Sequence, residues 1–283
     1  MNKKATAAVL ASLALAVAPA AAAEPPTPDA ALPQRPVDVA RVLTSTTGSL
    51  RSALDAWRAS GRRAVPDAVT LYALYDQRIL RSLSRNARLA RATLPLLAAP
   101  LRAHVRDVIV AHRELVRITP PLRKPKIRVG RAAPAADLLN WYREGERRFG
   151  VQWRVLAAVN FVESAFGKLR SASAAGAQGP MQFMPDTWRM YGLGGDVHDP
   201  HDAILGAANY LRASGARRSI RRALYAYNPS PLYVDAVLRY ARRIRVDIRA
   251  FYEFYSWQVY VRTSSGSVRV TGPGLQSGHS PTR

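Results

Sequence analysis

The chain has 283 residues, the length of one or two domains, and its 48% hydrophobic content is that of a globular protein rather than a disordered one. It has no cysteine, which excludes disulfide scaffolds, thiolate zinc sites, cysteine nucleophiles and lipid-modified cysteines. With 42 basic against 19 acidic residues it carries a net +23, and a surface that basic needs an anionic partner or matrix nearby.

Met1-Asn2-Lys3-Lys4 is a basic start, followed by an apolar run to Ala18 and by Pro19 and four alanines. This is the order of a secretory signal, so residues 1–23 are expected to be a leader cut after Ala23 and the protein to be exported, to a periplasm, cell wall or extracellular space. The alternative is a permanent anchor, but the run is short and Ala-rich for a membrane span. Export turns the reading of the charge away from nucleic acid and toward wall polymers.

Residues 24–36 are Pro-rich and read as a linker. Residues 37–118 read as a helical N-terminal region of unknown role. Leu71, Tyr75, Ile79 and Leu83 recur at helical spacing, and Arg78, Arg81, Arg85 and Arg88 form a stripe beside them. That stripe is a solvated face or a wall-binding one. Pro95 and Pro100 read as breaks, with the helix resuming at 104–118. Residues 119–134 hold four prolines and read as a second linker. Residues 135–256 are again helical and long enough to bury a core of their own. Residues 257–283 read as a loose tail, with a small hairpin expected around Ser264-Ser265-Gly266.

Residues 151–166 (VQWRVLAAVNFVESAF) read as a nearly all-apolar helix. Val155, Val159, Val162 and Phe166 share one face; Asn160 and Glu163 lie on the next. Glu163 is the only carboxylate between Glu146 and Asp186, and it stands in the last helical turn before Gly167, a fitting C-cap. Apolar neighbours and the negative end of the helix dipole both disfavour its charged form, which suits a general acid. From position alone, a Glu at a solvent-facing helix end reads equally well. Thirteen residues on begins Gly176-Ala-Gln-Gly-Pro-Met-Gln-Phe-Met-Pro, whose glycines allow backbone close to a bound chain. Gln182 offers amide hydrogen bonds, while Met181, Phe183 and Trp188 offer apolar surface for core or sugar faces.

Taken together, these blocks resemble the lysozyme-like lytic transglycosylases of bacterial cell walls. Glu163-Ser164 resembles their Glu-Ser motif, and the 176–185 segment their Gly-Ala-x-Gly-x-Met-Gln-x-Met-Pro motif. Asp199-Pro-His-Asp-Ala-Ile with Ala207-Ala-Asn-Tyr-Leu resembles a third block, and Ala226-Tyr227-Asn228 the Tyr-Asn motif. The similarity covers under half of the chain. After Tyr227-Asn228 this sequence continues Pro-Ser-Pro-Leu-Tyr233, nearer to the membrane-bound B-type enzymes, whereas the Glu163-to-Gly176 spacing is that of the soluble type.

The resemblance implies an all-α, lysozyme-like (goose-type/lytic transglycosylase) catalytic domain acting on peptidoglycan glycan strands without a cofactor. It implies Glu163 as catalytic acid and later base, and Ser164 as placing the substrate. Met181 and Gln182 would line the groove, Tyr227 would stand beside the acid, and Asn228 would shape the site. Tyr210 is a weaker candidate and Asn209 weaker still. Such an enzyme cuts the bond between N-acetylmuramic acid and N-acetylglucosamine and leaves 1,6-anhydromuramoyl ends. A hydrolytic muramidase with Asp186, Asp196 or Asp199 holding water is the alternative chemistry. A non-catalytic basic wall-binding protein and a secreted nucleic-acid binder are the remaining readings. Metal binding at His198-Asp-Pro-His-Asp202 is not expected, because Asp199, Pro200 and Asp202 already read as a helix start.

Overall fold

The structure is a computed structural model and describes residues 24–121 and 127–275. The expected leader at 1–23, part of the second linker and the last eight residues lie outside the described residues.

The architecture is all-α apart from one terminal hairpin. Among the described residues four α-helices precede the second linker: α1 (Pro36–Ser60), α2 (Asp67–Arg85), α3 (Ala87–Thr93) and α4 (Ala99–Ile118). Seven follow it: α5 (Ala135–Phe149), α6 (Trp153–Ser164), α7 (Pro185–Tyr191), α8 (Pro200–Ala213), α9 (Ile220–Tyr227), α10 (Pro231–Val246) and α11 (Arg249–Ser256). Strands β1 (Tyr260–Thr263) and β2 (Gly266–Arg269) then pair antiparallel, with Val261 opposite Val268. Proline starts helices more often than it breaks them here. Pro100 sits in the first turn of α4, where no intrahelical N–H is needed, so α4 begins at Ala99 rather than near His104. Pro200 and Pro231 open α8 and α10 in the same way.

A single core runs from Val39 through Trp257, so the two helical regions are not separately folded. Helix α4 packs along α10 more extensively than any other two elements pack on each other. At this interface Arg239 and Arg243 of α10 are partly covered, whereas Arg242 stays exposed. Arg243 Nε lies 2.8 Å and Arg242 Nε 3.0 Å from Asp107 Oδ2 of α4, while Arg239 lies 3.4 Å from Asp107 Oδ1 and 3.3 Å from Glu114. Asp107 is 3% exposed. α10 therefore has two covered sides, apolar toward its own domain and cationic toward α4, and an apolar-face reading finds only the first.

The loose-tail expectation is likewise corrected for residues 257–275. Trp257, Val259 and Val261 are buried, and Gln77 of α2 exchanges two hydrogen bonds with the Gln258 backbone. The end of the second linker is also built in. Gly130 N donates to Lys168 O at 2.9 Å, and Arg170 N donates to Arg128 O at 2.8 Å. Half-buried Lys168 donates to the carbonyls of Tyr255 and Trp257; desolvation of its ammonium pushes its pKa down to about 7.

Candidate active site

Every residue of α6 from Val155 to Asn160 is buried, so the helix is a rod through the centre of its domain. It ends abruptly: Ala165, Phe166 and Gly167 all have left-handed backbones, with φ of 50°, 65° and 82°. Two such residues in a row without glycine are costly, and the surrounding bonds hold them there. Phe166 N donates to Asn160 O, and Gly167 N to the Ser164 hydroxyl at 2.8 Å. The sharp stop leaves Glu163 at a half-buried rim.

The motif after the helix is tied directly to it. Asn160 accepts from Tyr142 at 2.6 Å and donates to Pro180 O at 2.8 Å. The Ser164 hydroxyl donates to the same carbonyl. Gln178 and Phe183 exchange backbone hydrogen bonds, closing a tight loop over residues 179–182. Gly179 takes φ 72° with its α-carbon against Val197 O; a β-carbon there would lie 1.8 Å from that oxygen. Gln182 itself has φ 50° and donates to Gly179 O at 2.9 Å.

The expected site residues divide accordingly. Ser164 is 2% exposed and its hydroxyl is committed to Pro180 and Gly167, so it holds the loop rather than the substrate. The Met181 side chain is wholly buried in the core; its carbonyl is what faces the site, accepting from Tyr227 at 2.6 Å. Gln182 remains partly exposed. Tyr210 donates to Ala226 O and packs against Tyr191 and Tyr227, with centroids at 4.8 and 5.6 Å. Asn209 is bound to Tyr191 O. Asn228 caps α9, and its side-chain amide makes no hydrogen bond among the described residues.

Tyr227, expected beside the acid, feels the Glu163 charge but does not donate to the carboxyl. Tyr233 does so: its hydroxyl lies 2.6 Å from Glu163 Oε1, and Tyr233 is 2% exposed. It stands in the first turn of α10, which Ser230 caps through the Tyr233 N–H. The sequence signal was present in Tyr227-Asn228-Pro-Ser230-Pro-Leu-Tyr233, whose last residue one helical turn past the cap faces back toward α6. Burial raises the Glu163 carboxyl to about 7, against the opposing pull of the Tyr233 hydrogen bond. Of the three aspartates that the muramidase alternative assigns to water, Asp186 pairs with Arg189, Asp196 binds the His198 N–H and Asp199 caps α8. None contributes to the Glu163 shift.

Glu163 also lines a cavity of about 190 Å³ whose far wall is Leu80 and Arg81 of α2 and His112 of α4, roofed by Trp257 and Tyr260. The N-terminal helices thus reach the acid, which nothing in their sequence announced. Arg81 is spent on His112, Ser267 and the Tyr260 ring, and Arg78 on the carbonyls of Pro28 and Ala30. The arginine stripe is therefore half structural. As for a metal, Asp199, His201 and Asp202 present ligand atoms within 4.8 Å of one another. Each is already engaged: Asp199 by the helix cap, Asp202 by the Asp196 N–H and His201 by Glu144.

Residues 140–245 match the transglycosylase SLT domain family. The match contains α6, the 176–185 loop, α8, α9 and nearly all of α10, but neither the far wall of the Glu163 cavity nor Trp257 and Tyr260. The membrane-bound lytic murein transglycosylase F 1 of Alkalilimnicola ehrlichii is 35% identical over 72 residues. That stretch is 25% of this chain and 14% of the relative, so the chain spans a small part of the curated relative it matches. No solved structure matches. The SLT domain is the lytic transglycosylase kind that the four motifs resemble, and the matched residues are all-α in keeping with it. No helix among the described residues is long and apolar enough to cross a membrane.

Proposed function

We propose that this protein is a peptidoglycan lytic transglycosylase, with Glu163 as its one acid and base. The observation that carries the reading is the half-buried carboxyl of Glu163, raised to about 7, held by Tyr233, with no second carboxylate acting on it. Near neutral pH it keeps a proton to give to the glycosidic oxygen between N-acetylmuramic acid and N-acetylglucosamine. As the bond breaks, Glu163 becomes a carboxylate that the Tyr233 hydroxyl stabilises. It then takes the proton of the muramoyl C6 hydroxyl, whose oxygen attacks its own anomeric carbon. Both reacting atoms belong to one sugar, so the step costs little entropy and needs no water-holding carboxylate. Asn228 supplies an uncommitted amide, and the half-buried Gln182 its amide oxygen, for the N-acetyl and hydroxyl groups.

The leader-like order of residues 1–23 supports an activity outside the cytoplasmic membrane, and the strongly cationic chain favours retention on anionic wall polymers over nucleic acid. Replacing Glu163 by Gln is expected to lower cleavage of purified peptidoglycan by ~10² to 10⁴ with the melting temperature kept. Mass analysis of the wild-type products is expected to show 1,6-anhydromuramoyl ends. A folded Glu163→Gln protein with near-normal turnover removes the acid assignment. Products wholly reducible by borohydride make the enzyme a muramidase.

A further inference from the structure

At the far end of α6 from Glu163 lies a bowl of about 570 Å³, formed by the start of α6, the loop between α8 and α9, and the outer side of α10. Arg154, Arg217, Arg218, Arg242 and Arg245 line it, and no acidic residue does. Arg242 is paired with Asp107. The other four have no ion pair among the described residues, and Arg154 Nε is buried with no hydrogen-bond partner. Crowding four unpaired guanidiniums around one concavity costs self-repulsion unless an anion fills it. The α6 N-terminus opens into the same bowl. No side chain caps it and its first turn holds no acid, so its free N–H groups add to the positive field. Gly150, at φ 72°, turns the chain here with no β-carbon, and a β-carbon would lie 3.0 Å from Arg217 Nε.

We propose that this bowl binds a phosphate-bearing polyanion free of bases, and that it is the particular site through which the retention proposed above operates. Guanidinium forks match phosphate oxygens in pairs, and several arginines around one cavity suit successive phosphates of a chain. The lining has no aromatic residue, so it offers no platform for stacked nucleobases. Its concave shape suits a chain better than a flat bilayer. Nine residues, roughly 13 Å of helix, separate Arg154 from Glu163, so a chain held here leaves the acid free to work.

The test is anisotropy of labelled inorganic polyphosphate with the full chain at fixed ionic strength. Arg217→Glu with Arg245→Glu is compared with Arg88→Glu and Arg91→Glu, an equal change of charge on exposed residues of α3. The bowl variant is expected to raise Kd at least tenfold more than the α3 variant, and to flatten the salt dependence. Equal losses in the two variants would overturn the site and leave only net charge. If the Glu pair fails to fold by circular dichroism, the Gln pair at the same positions takes its place. Stronger binding of single-stranded DNA, or of phosphatidylglycerol vesicles, than of polyphosphate would overturn the base-free chain as ligand. The assay does not read glycan cleavage. An inactive protein that binds polyphosphate sinks only the lytic reading, and an active one that does not bind sinks only this one.

Discussion

At the scale of single residues, the decisive pair is Glu163 and Tyr233. The carboxyl sits near 7 because burial raises it and the tyrosine hydrogen bond restrains the rise. A general acid needs its proton, so turnover is expected to fall as pH climbs above about 7. Tyr233→Phe removes the donor that stabilises the carboxylate. Glu163 then holds its proton to higher pH, and the alkaline limb of the rate profile should move upward while the maximum rate drops. Rate profiles of both proteins on purified peptidoglycan check this; an unmoved limb would mean that another group sets the pH dependence. Glu163 itself was legible, as a lone carboxylate in an apolar helix. Ser164 and Met181 were legible as motif members but not in their roles, because burial is decided by what packs on a residue and not by its type.

Among elements, the 176–185 loop depends on a backbone approach that a residue with a side chain cannot make. Gly179 combines a left-handed φ with a close contact to Val197 O. Gly179→Ala should cost at least ~2 kcal/mol, from backbone strain and from displacement of Val197. It should also lower turnover, since the Met181 carbonyl that anchors Tyr227 would shift. Urea midpoints and rates on one preparation check both, and a stable, fully active variant would refute the contact. The α10 helix offers the complementary lesson. Its start and cap at Ser230-Pro231 are readable, but nothing local shows that α4 pairs its arginines with Asp107 and Glu114.

For the molecule as a whole, the N-terminal helices are clamped to α11 by a buried polar cluster. Asp76 of α2 lies under Thr47 of α1, and His104 of α4 meets Glu253 of α11 at 3.1 Å. Burial and the neighbouring Glu253 raise Asp76 to about 8. Burial is the largest single influence on His104 and lowers it, but the Glu253 charge and hydrogen bond together with Asp76 make the net shift upward. Both groups hold protons more tightly when folded, so their contribution is complete at low pH and is lost as pH rises. For Asp76 the window runs from its unfolded value near 4 to about 8, with a slope of up to ~1.4 kcal/mol per pH unit. Asp76→Asn should flatten the decline in unfolding free energy across that window. Denaturant titrations from pH 5 to 8 test it, and an unchanged slope would show that Asp76 is ionised in the fold.

The sequence by itself determined the helical class, the lone acid, the glycine-bearing loop and the order of motifs, because each depends on local spacing and residue chemistry. Only the tertiary structure decided that two helical regions share one core, that the terminal hairpin roofs the acid's cavity, and that Tyr233 rather than Tyr227 holds the carboxyl. It alone gathered arginines from α6, α10 and the α8–α9 loop into one bowl. Those outcomes rest on which surfaces meet across long separations, and helical periodicity marks a buried face without naming what buries it.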